Sequence, residues 1–368
     1  MSKVRHLLGI SGGKDSAALA IYMKHKHPDL DIEYYTSDTG KELNETYKLI
    51  DNLEIYLGKK IIRLNAADKS PEVPFDHFLK MYGGYLPAAN SRWCTKKLKL
   101  DPFEKFIGTD PVISYVGIRG DEDREGYVSK KPNIQSIFPF RKNIWSEDVI
   151  NKVLSNTNAE KTLVLVDDLQ ETNKTDRLKE ILKNPLTPSF PQAQKLNLLL
   201  DLGIKEFNQL VFSFIKVHTN YPLASEAIFP LVDNEDILIK KDIFRILEDS
   251  GVGVPAYYKE VEFEVNGKKS VYSRSRSGCF FCFYQQKIEW VWLYEQHPEL
   301  FMKAMEYEKS GYTWNQEESL SELIKPERIT RIKEEYIKRS ERKSKTQSPY
   351  LLDILEDSEE EGCASCFV

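Results

Sequence analysis

Residues 6–23 read HLLGISGGKDSAALAIYM, and this stretch decides the fold. A short apolar run ends in Ser-Gly-Gly, and a helical pattern begins at Lys14. Such a run, bounded by glycine, reads as a buried parallel strand. Ala18, Leu19, Ile21 and Tyr22 give the following segment its apolar faces, and Pro28 stops it. The turn between them is not a Walker A loop, which needs GxxxxGK[ST]. Only three residues separate Gly9 from Gly13, and Asp15 follows Lys14. The physics is nonetheless that of a phosphate cradle. Gly12 and Gly13 allow close backbone approach, the helix start points free N–H groups outward, and Ser11, Ser16 and Lys14 add donors. Taken alone, SGG is equally a tight strand-to-helix turn.

Working outward, the strand-helix alternation repeats. DIEYYTSDTG (31–40) reads as a strand ending in a turn. NETYKLIDNLEIYLG (44–58) is a helix with Asn44 as N-cap and Gly58 as stop. KKIIRLNA (59–66) and DPVISYVGIRG (110–120) are further strands. This pattern predicts an α/β fold with a doubly wound, mostly parallel sheet. Turns after residues 10, 37 and 118 all fall at strand carboxyl ends, where such sheets bind ligands.

The expected organisation is a nucleotide-binding domain at 1–145, a mainly helical insertion or second domain at 146–250, a Cys-containing region at 251–350 and a flexible acidic tail at 351–368. Helices are expected over SEDVINKVL, KTDRLKEILKN, QAQKLNLLLDLGIKEFNQLVFSFIK and NEDILIKKDIFRILEDSG. VEFEVNGKKSVYS predicts a hairpin around Asn266-Gly267, and 322–345 reads as a basic helix.

The 368-residue chain carries a net charge of −5, which argues against a globally basic nucleic-acid coat. No run approaches the length of a membrane helix, and the N-terminus does not read as a secretory signal, so a cytoplasmic protein without a membrane partner is expected. The five cysteines are Cys94, Cys279, Cys282, Cys363 and Cys366. Two CxxC pairs in such a chain suggest metal or redox chemistry more than structural disulfides. Cys279 and Cys282 are spaced to reach one metal from a turn, with Phe280, Phe281, Phe283 and Tyr284 drying it. Cys94 sits beside Arg92, Lys96 and Lys97, a basic setting that suits a ligand or a nucleophile. Cys94, Cys279 and Cys282 are thus candidate metal residues, for a [4Fe–4S] cluster or Zn²⁺. Three cysteines do not complete a four-ligand set, and buried reduced thiols are the plainer alternative. The tail pair is a mobile sulfur carrier or reductant, a completion of the metal site, or incidental.

SGGKDS after a strand resembles the PP-loop of the ATP pyrophosphatase superfamily, whose fold is adenine nucleotide alpha hydrolase-like. TSDTGKELNETY, RWCTKKLKLDPFEKF and VGIRGDEDREGY resemble the phosphoadenosine-phosphosulfate (PAPS) reductase-like branch, in family order across residues 7–128. The GCFFC segment, followed by Glu-Trp and His-Pro-Glu, is similar in style to DndC-type proteins of DNA phosphorothioation systems, which carry an iron–sulfur cluster. The resemblance implies that Ser11, Gly12, Gly13, Lys14, Asp15 and Ser16 bind the pyrophosphate of ATP with Mg²⁺, and that Asp38, Thr39 and Gly117 lie near the nucleotide. It implies catalytic roles for Lys14, Asp15 and Arg119, and places Arg119 and Arg124 toward phosphates or an anionic group. Without it, Asp38-Thr39 reads as an Asx turn and RGDEDRE as a solvated loop.

The implied activity is ATP pyrophosphatase and adenylyl transfer serving as a sulfurtransferase step, in DNA modification or antiviral defence. Reduction of an adenylyl sulfate and a non-catalytic ATP-sensing subunit of a defence complex are the alternatives. The ending Glu-Cys-Gly-x-His of simple PAPS reductases is not found. The partners implied are nucleic acid (DNA or tRNA), a cysteine desulfurase or other sulfur donor, and partner defence proteins. SRSRSG and the helix at 325–345 offer a positive surface, although Glu327, Glu334, Glu335 and Glu341 also suit a solvated amphipathic helix. Trp290, Trp292 and Trp314 read as packing residues, and His77 and His297 have no partner spacing.

Overall fold

The computed structural model describes residues 3–122, 129, 131–167, 174–309 and 311–345. Arg124, Cys363, Cys366 and the acidic tail lie outside the described residues.

Five strands form one parallel sheet: β1 (Arg5–Gly9), β2 (Ile32–Asp38), β3 (Ile61–Asn65), β4 (Val112–Tyr115) and β5 (Ile134–Ile137). Their order is β3-β2-β1-β4-β5, so the winding direction reverses between β1 and β4. A crevice at the carboxyl ends is the geometric consequence of that reversal. The β1 side chains alternate between two cores. Leu8 joins α1 (Lys14–Lys26) and α2 (Asn44–Leu57), while Leu7 packs with Tyr35, Phe103 and Ile107 on the opposite face. Both faces are therefore covered, which explains the near-continuous apolar runs of the strands.

Between β3 and β4 the chain forms α3 (Pro74–Met81), a short α4 (Trp93–Thr95), a π-helical turn (Lys96–Leu100) and α5 (Asp101–Ile107). After β5 come α6 (Glu147–Leu154), α7 (Ala159–Asp167), α8 (Thr175–Lys183), α9 (Gln192–Leu202), α10 (Ile204–His218) and α11 (Lys240–Asp249). Their apolar residues, among them Phe207, Phe214 and Leu247, share one core with α1 and the sheet. The hairpin β6 (Val261–Val265) and β7 (Lys268–Tyr272) precedes α12 (Lys287–Gln296), α13 (Pro298–Glu306), α14 (Leu320–Leu323) and α15 (Pro326–Lys345). These elements pack with Leu43, Phe75, Trp93 and Leu98 in a second core that includes Trp290, Trp292 and Trp314. Asn266 and Gly267 both have positive φ (49° and 74°), as a two-residue hairpin turn demands. Among the described residues, no helix is long and apolar enough to cross a membrane.

Local readings differ at five places. Asn44 is the first residue of α2, and the N-cap is Leu43, whose buried side chain fixes an extended backbone there. The helix expected over 192–216 is two, divided at Gly203, where a Cβ would stand 2.0 Å from Glu206 Oε2. The helix expected from Asn234 begins only at Lys240, because the preceding backbone is used elsewhere: Gly120 N–H donates to Leu238 O and Leu238 N–H to Phe140 O. Neither β5 nor α3 was anticipated by the patterning, and both are short.

Candidate functional site

The loop from Ser11 to Ser16 joins β1 to α1 at the reversal point. Its shape depends on Gly12, which has φ of +74° and lies where a Cβ would meet Thr46 Cγ2 at 2.2 Å. The serine hydroxyls hold the loop itself. Ser16 Oγ accepts from Ser11 N–H at 3.1 Å and donates to Gly13 O at 3.2 Å, while Gly13 N–H donates to Ser11 Oγ at 3.3 Å.

Lys14 and Asp15 are both buried, at 6% and 7% exposure, so their charges must be compensated within the protein. Lys14 Nζ lies 3.0 Å from Asp15 Oδ2 and 4.9 Å from the Tyr258 ring centroid. Arg119, on the loop after β4, reaches Asp15 Oδ1 at 2.8 Å and also pairs with Glu122 and Asp121. Burial pushes the Asp15 carboxyl up, but the Lys14 and Arg119 charges outweigh it and hold the pKa below its ordinary value. For Arg119, burial is likewise overcome by Asp15 and Glu122, and its pKa is raised. Gly117 permits this closeness: a Cβ there would stand 2.9 Å from Asp15 O. Five of the residues singled out in the sequence, Gly12, Lys14, Asp15, Gly117 and Arg119, are thus brought together by two segments, the turn after β1 and the loop after β4.

Beside them, the end of β2 forms an acidic wall. Asp38 Oδ1 accepts from Gly40 N–H (2.8 Å) and Tyr47 O–H (3.0 Å). Thr39 O–H donates to Glu42 Oε1 at 2.6 Å and lies 3.2 Å from Cys279 Sγ. Tyr47 O–H also lies 2.9 Å from Glu42 Oε2. Burial raises the Glu42 pKa, and the Asp38 charge adds to it against the Thr39 and Tyr47 hydrogen bonds. Burial also pushes the Cys279 thiol up, with Glu42 reinforcing it.

The cysteine segment reaches this wall by backbone pairing. Cys279 forms an antiparallel bridge with Glu42, and Phe280 N–H donates to Lys41 O. Phe280 and Phe281 are buried in the second core and anchor the turn. Ser11, Asp38, Glu42, Lys99 and Cys279 therefore line one open cleft. Cys94, Cys279 and Cys282 form no disulfide among the described residues, and each is partly exposed. Among the described residues, no group of three or more His, Cys, Asp or Glu side chains is gathered as a metal would require. The described donors do not make the four-ligand set of an iron–sulfur cluster or a structural zinc.

Several contributors escaped the sequence reading. Tyr257 O–H donates to Gly12 O at 3.0 Å, and Lys14 N–H donates to Tyr258 Oη at 3.4 Å. Ser277 O–H donates to Ser11 O at 3.4 Å. The only signal for the tyrosines was PAYYKE, an aromatic pair with no motif around it. SRSRSG was read as a positive surface, and here the structure corrects the expectation. Arg274 is 1% exposed and donates to Cys279 O at 3.1 Å, and Ser277 is turned onto the loop after β1. Burial of the second core draws this segment inward.

Comparison with known proteins bears on the first part of the chain. The uncharacterized protein MJ0066 of Methanocaldococcus jannaschii is 36% identical over 146 residues, which is 36% of this chain. The chain spans 28% of the length of that relative. Residues 5–145 match the phosphoadenosine phosphosulfate reductase domain, a nucleotide-binding domain of the PP-loop, adenine nucleotide alpha hydrolase-like superfamily, and this match covers β1 to β5 but not Tyr257, Tyr258, Ser277 or Cys279.

Proposed function

We propose that this cleft binds ATP, as its Mg²⁺ complex, and adenylylates an acceptor so that sulfur can displace AMP. The observation that carries the reading is the meeting of two chemistries in one cleft. Ser11, which opens the turn into α1, and Cys279, on the wall beside the end of β2, line the same cleft. The backbone N–H groups of the α1 start and the Lys14 ammonium would neutralise the departing pyrophosphate. Asp15 stays ionised, so it holds Lys14 and Arg119 side by side where charge develops. Asp38 and Thr39 would border the nucleoside. An acceptor on nucleic acid, as in DNA modification or antiviral defence, fits the resemblance of the chain, and a persulfide-forming cysteine desulfurase fits the sulfur supply.

A second reading, reduction of an adenylyl sulfate, is favoured by Cys279 lying at the cleft, with Cys282 three residues further on, and by the domain matched at 5–145. Pyrophosphate release from ATP, with and without DNA or tRNA, tests the first reading in wild type and Lys14→Ala. Release that needs Lys14 supports it. Sulfite formed from PAPS would select the reductase, and tight ATP binding without turnover would select a sensing subunit.

A further inference from the structure

The face leading to the cleft is unlike the rest of the molecule. From His77 to Leu100 the chain holds Lys80, Arg92, Lys96, Lys97 and Lys99 and no Asp or Glu, in a protein of net charge −5. Lys80 pairs with Glu72 and Lys97 with Asp101, but Arg92, Lys96 and Lys309 make no ion pair among the described residues.

Large rings are exposed on this same face. Tyr82, Tyr85 and Tyr312 are 41%, 36% and 42% exposed. Tyr85 and Tyr312 meet edge to face at 5.3 Å, and Tyr82 stacks on Trp93 at 5.2 Å, next to Arg92. The Lys309 ammonium lies over Gly84, where a Cβ would stand 2.8 Å from Nζ. Arg92 is 5.0 Å from the Tyr284 ring, just beyond the cysteine turn. One further turn along, Lys99 lines the cleft with Asp38 and Cys279. Rings and cations therefore run in series toward the cleft.

We propose that this face, from Tyr312 and Tyr85 past Arg92 and Lys96, docks a single-stranded nucleic acid and feeds it to the cleft. The proposal deepens the acceptor half of the function proposed above and rests on that reading. Alternating aromatic faces and cations are what a single strand offers partners for: bases stack and phosphates pair. A base reaches a reactive group inside a cleft only when it is out of the stack, as a single strand allows. The other basic element suits this role less well. On α15, Arg328 pairs with Glu318, Lys333 with Glu295 and Arg331 with Glu335.

The test is fluorescence anisotropy of the full chain with a labelled single-stranded DNA of about 12 nucleotides. Tyr85→Ala and Tyr312→Ala should each weaken binding about fivefold or more. Lys96→Ala should lower the slope of log affinity against log salt by about 0.7. Lys338→Ala on α15 should leave binding unchanged. Binding of a fluorescent ATP analogue, measured on the same variants, should stay at the wild-type level and shows that they are folded. No binding by wild type, equal affinity for the duplex, or loss in Lys338→Ala with none in Tyr85→Ala would each overturn the proposal. Failure of the adenylylation reading is seen separately, as absent pyrophosphate release with oligonucleotide binding intact.

Discussion

Two carboxyls at neighbouring strand ends behave in opposite ways. Asp15, after β1, has cations 3.0 Å and 2.8 Å away and is held ionised. Glu42, after β2, has Asp38, a phenol, a hydroxyl and a thiol around it, and is held toward protonation. Burial acts on both; the position of the cations decides the outcome. On the reading proposed above, fixed charge near the β1 end would meet phosphate, and the β2 end holds a carboxyl of raised pKa beside a sulfur atom.

The hardest test of the β1 end is Asp15→Asn. It leaves two buried cations without their shared anion, and stability at neutral pH should fall by about 3–5 kcal/mol. Because the folded pKa of Asp15 is depressed, its contribution is present above pH 3.8 and lost as pH falls through the folded value. The gap between wild type and variant in chemical denaturation should therefore close in acid. A constant gap would show that charge pairing is not what Asp15 supplies.

Gly12→Ala should be next in size, at about 1–3 kcal/mol, since it places a side chain at φ of +74° and against Thr46. A thermal melt, together with ATP-analogue titration, reads both the strain and the displaced loop. At the β2 end, Thr39→Val removes the 2.6 Å donor of Glu42 and should cost about 1–2 kcal/mol at neutral pH. Here the sign is reversed. A carboxyl with a raised folded pKa favours the folded state most in acid, and that advantage is lost as pH rises through the folded value. Thr39 bonds the ionised carboxylate, so the Thr39→Val deficit should still grow from pH 4 to pH 7, in the same direction as the Asp15→Asn gap. Smallest is Tyr257→Phe, which strips one hydrogen bond from Gly12 O and should lower stability by about 1 kcal/mol.

The sheet and the turn after β1 were legible because their signals are local. Apolar runs, Gly12-Gly13 and the helix pattern after Lys14 lie within a single short stretch, and the DTG and GIRG turns repeat the same strand-end logic. Asp15 serving as the common partner of Lys14 and Arg119 was not legible, since Arg119 lies 104 positions away. Tyr257 and Ser277 were beyond reach for the same reason: each meets the loop across more than two hundred residues. Arg274 misled because charge in SRSRSG suggests a surface, whereas the packing of Phe280, Phe281 and Tyr257 pulls it inside. The strap at 234–239 kept a helical pattern but gives its backbone to Gly120 and Phe140.

The central claim is that the loop after β1 holds ATP for cleavage between its α and β phosphates. Incubating the full chain with ATP labelled on the α-phosphorus, with single-stranded DNA present, and resolving the products tests it directly. We predict label in AMP or in an adenylylated acceptor, with pyrophosphate in equal amount, and a fall of about 10²–10³-fold in Lys14→Ala. Label in ADP, or the same product yield from Lys14→Ala, would contradict the account.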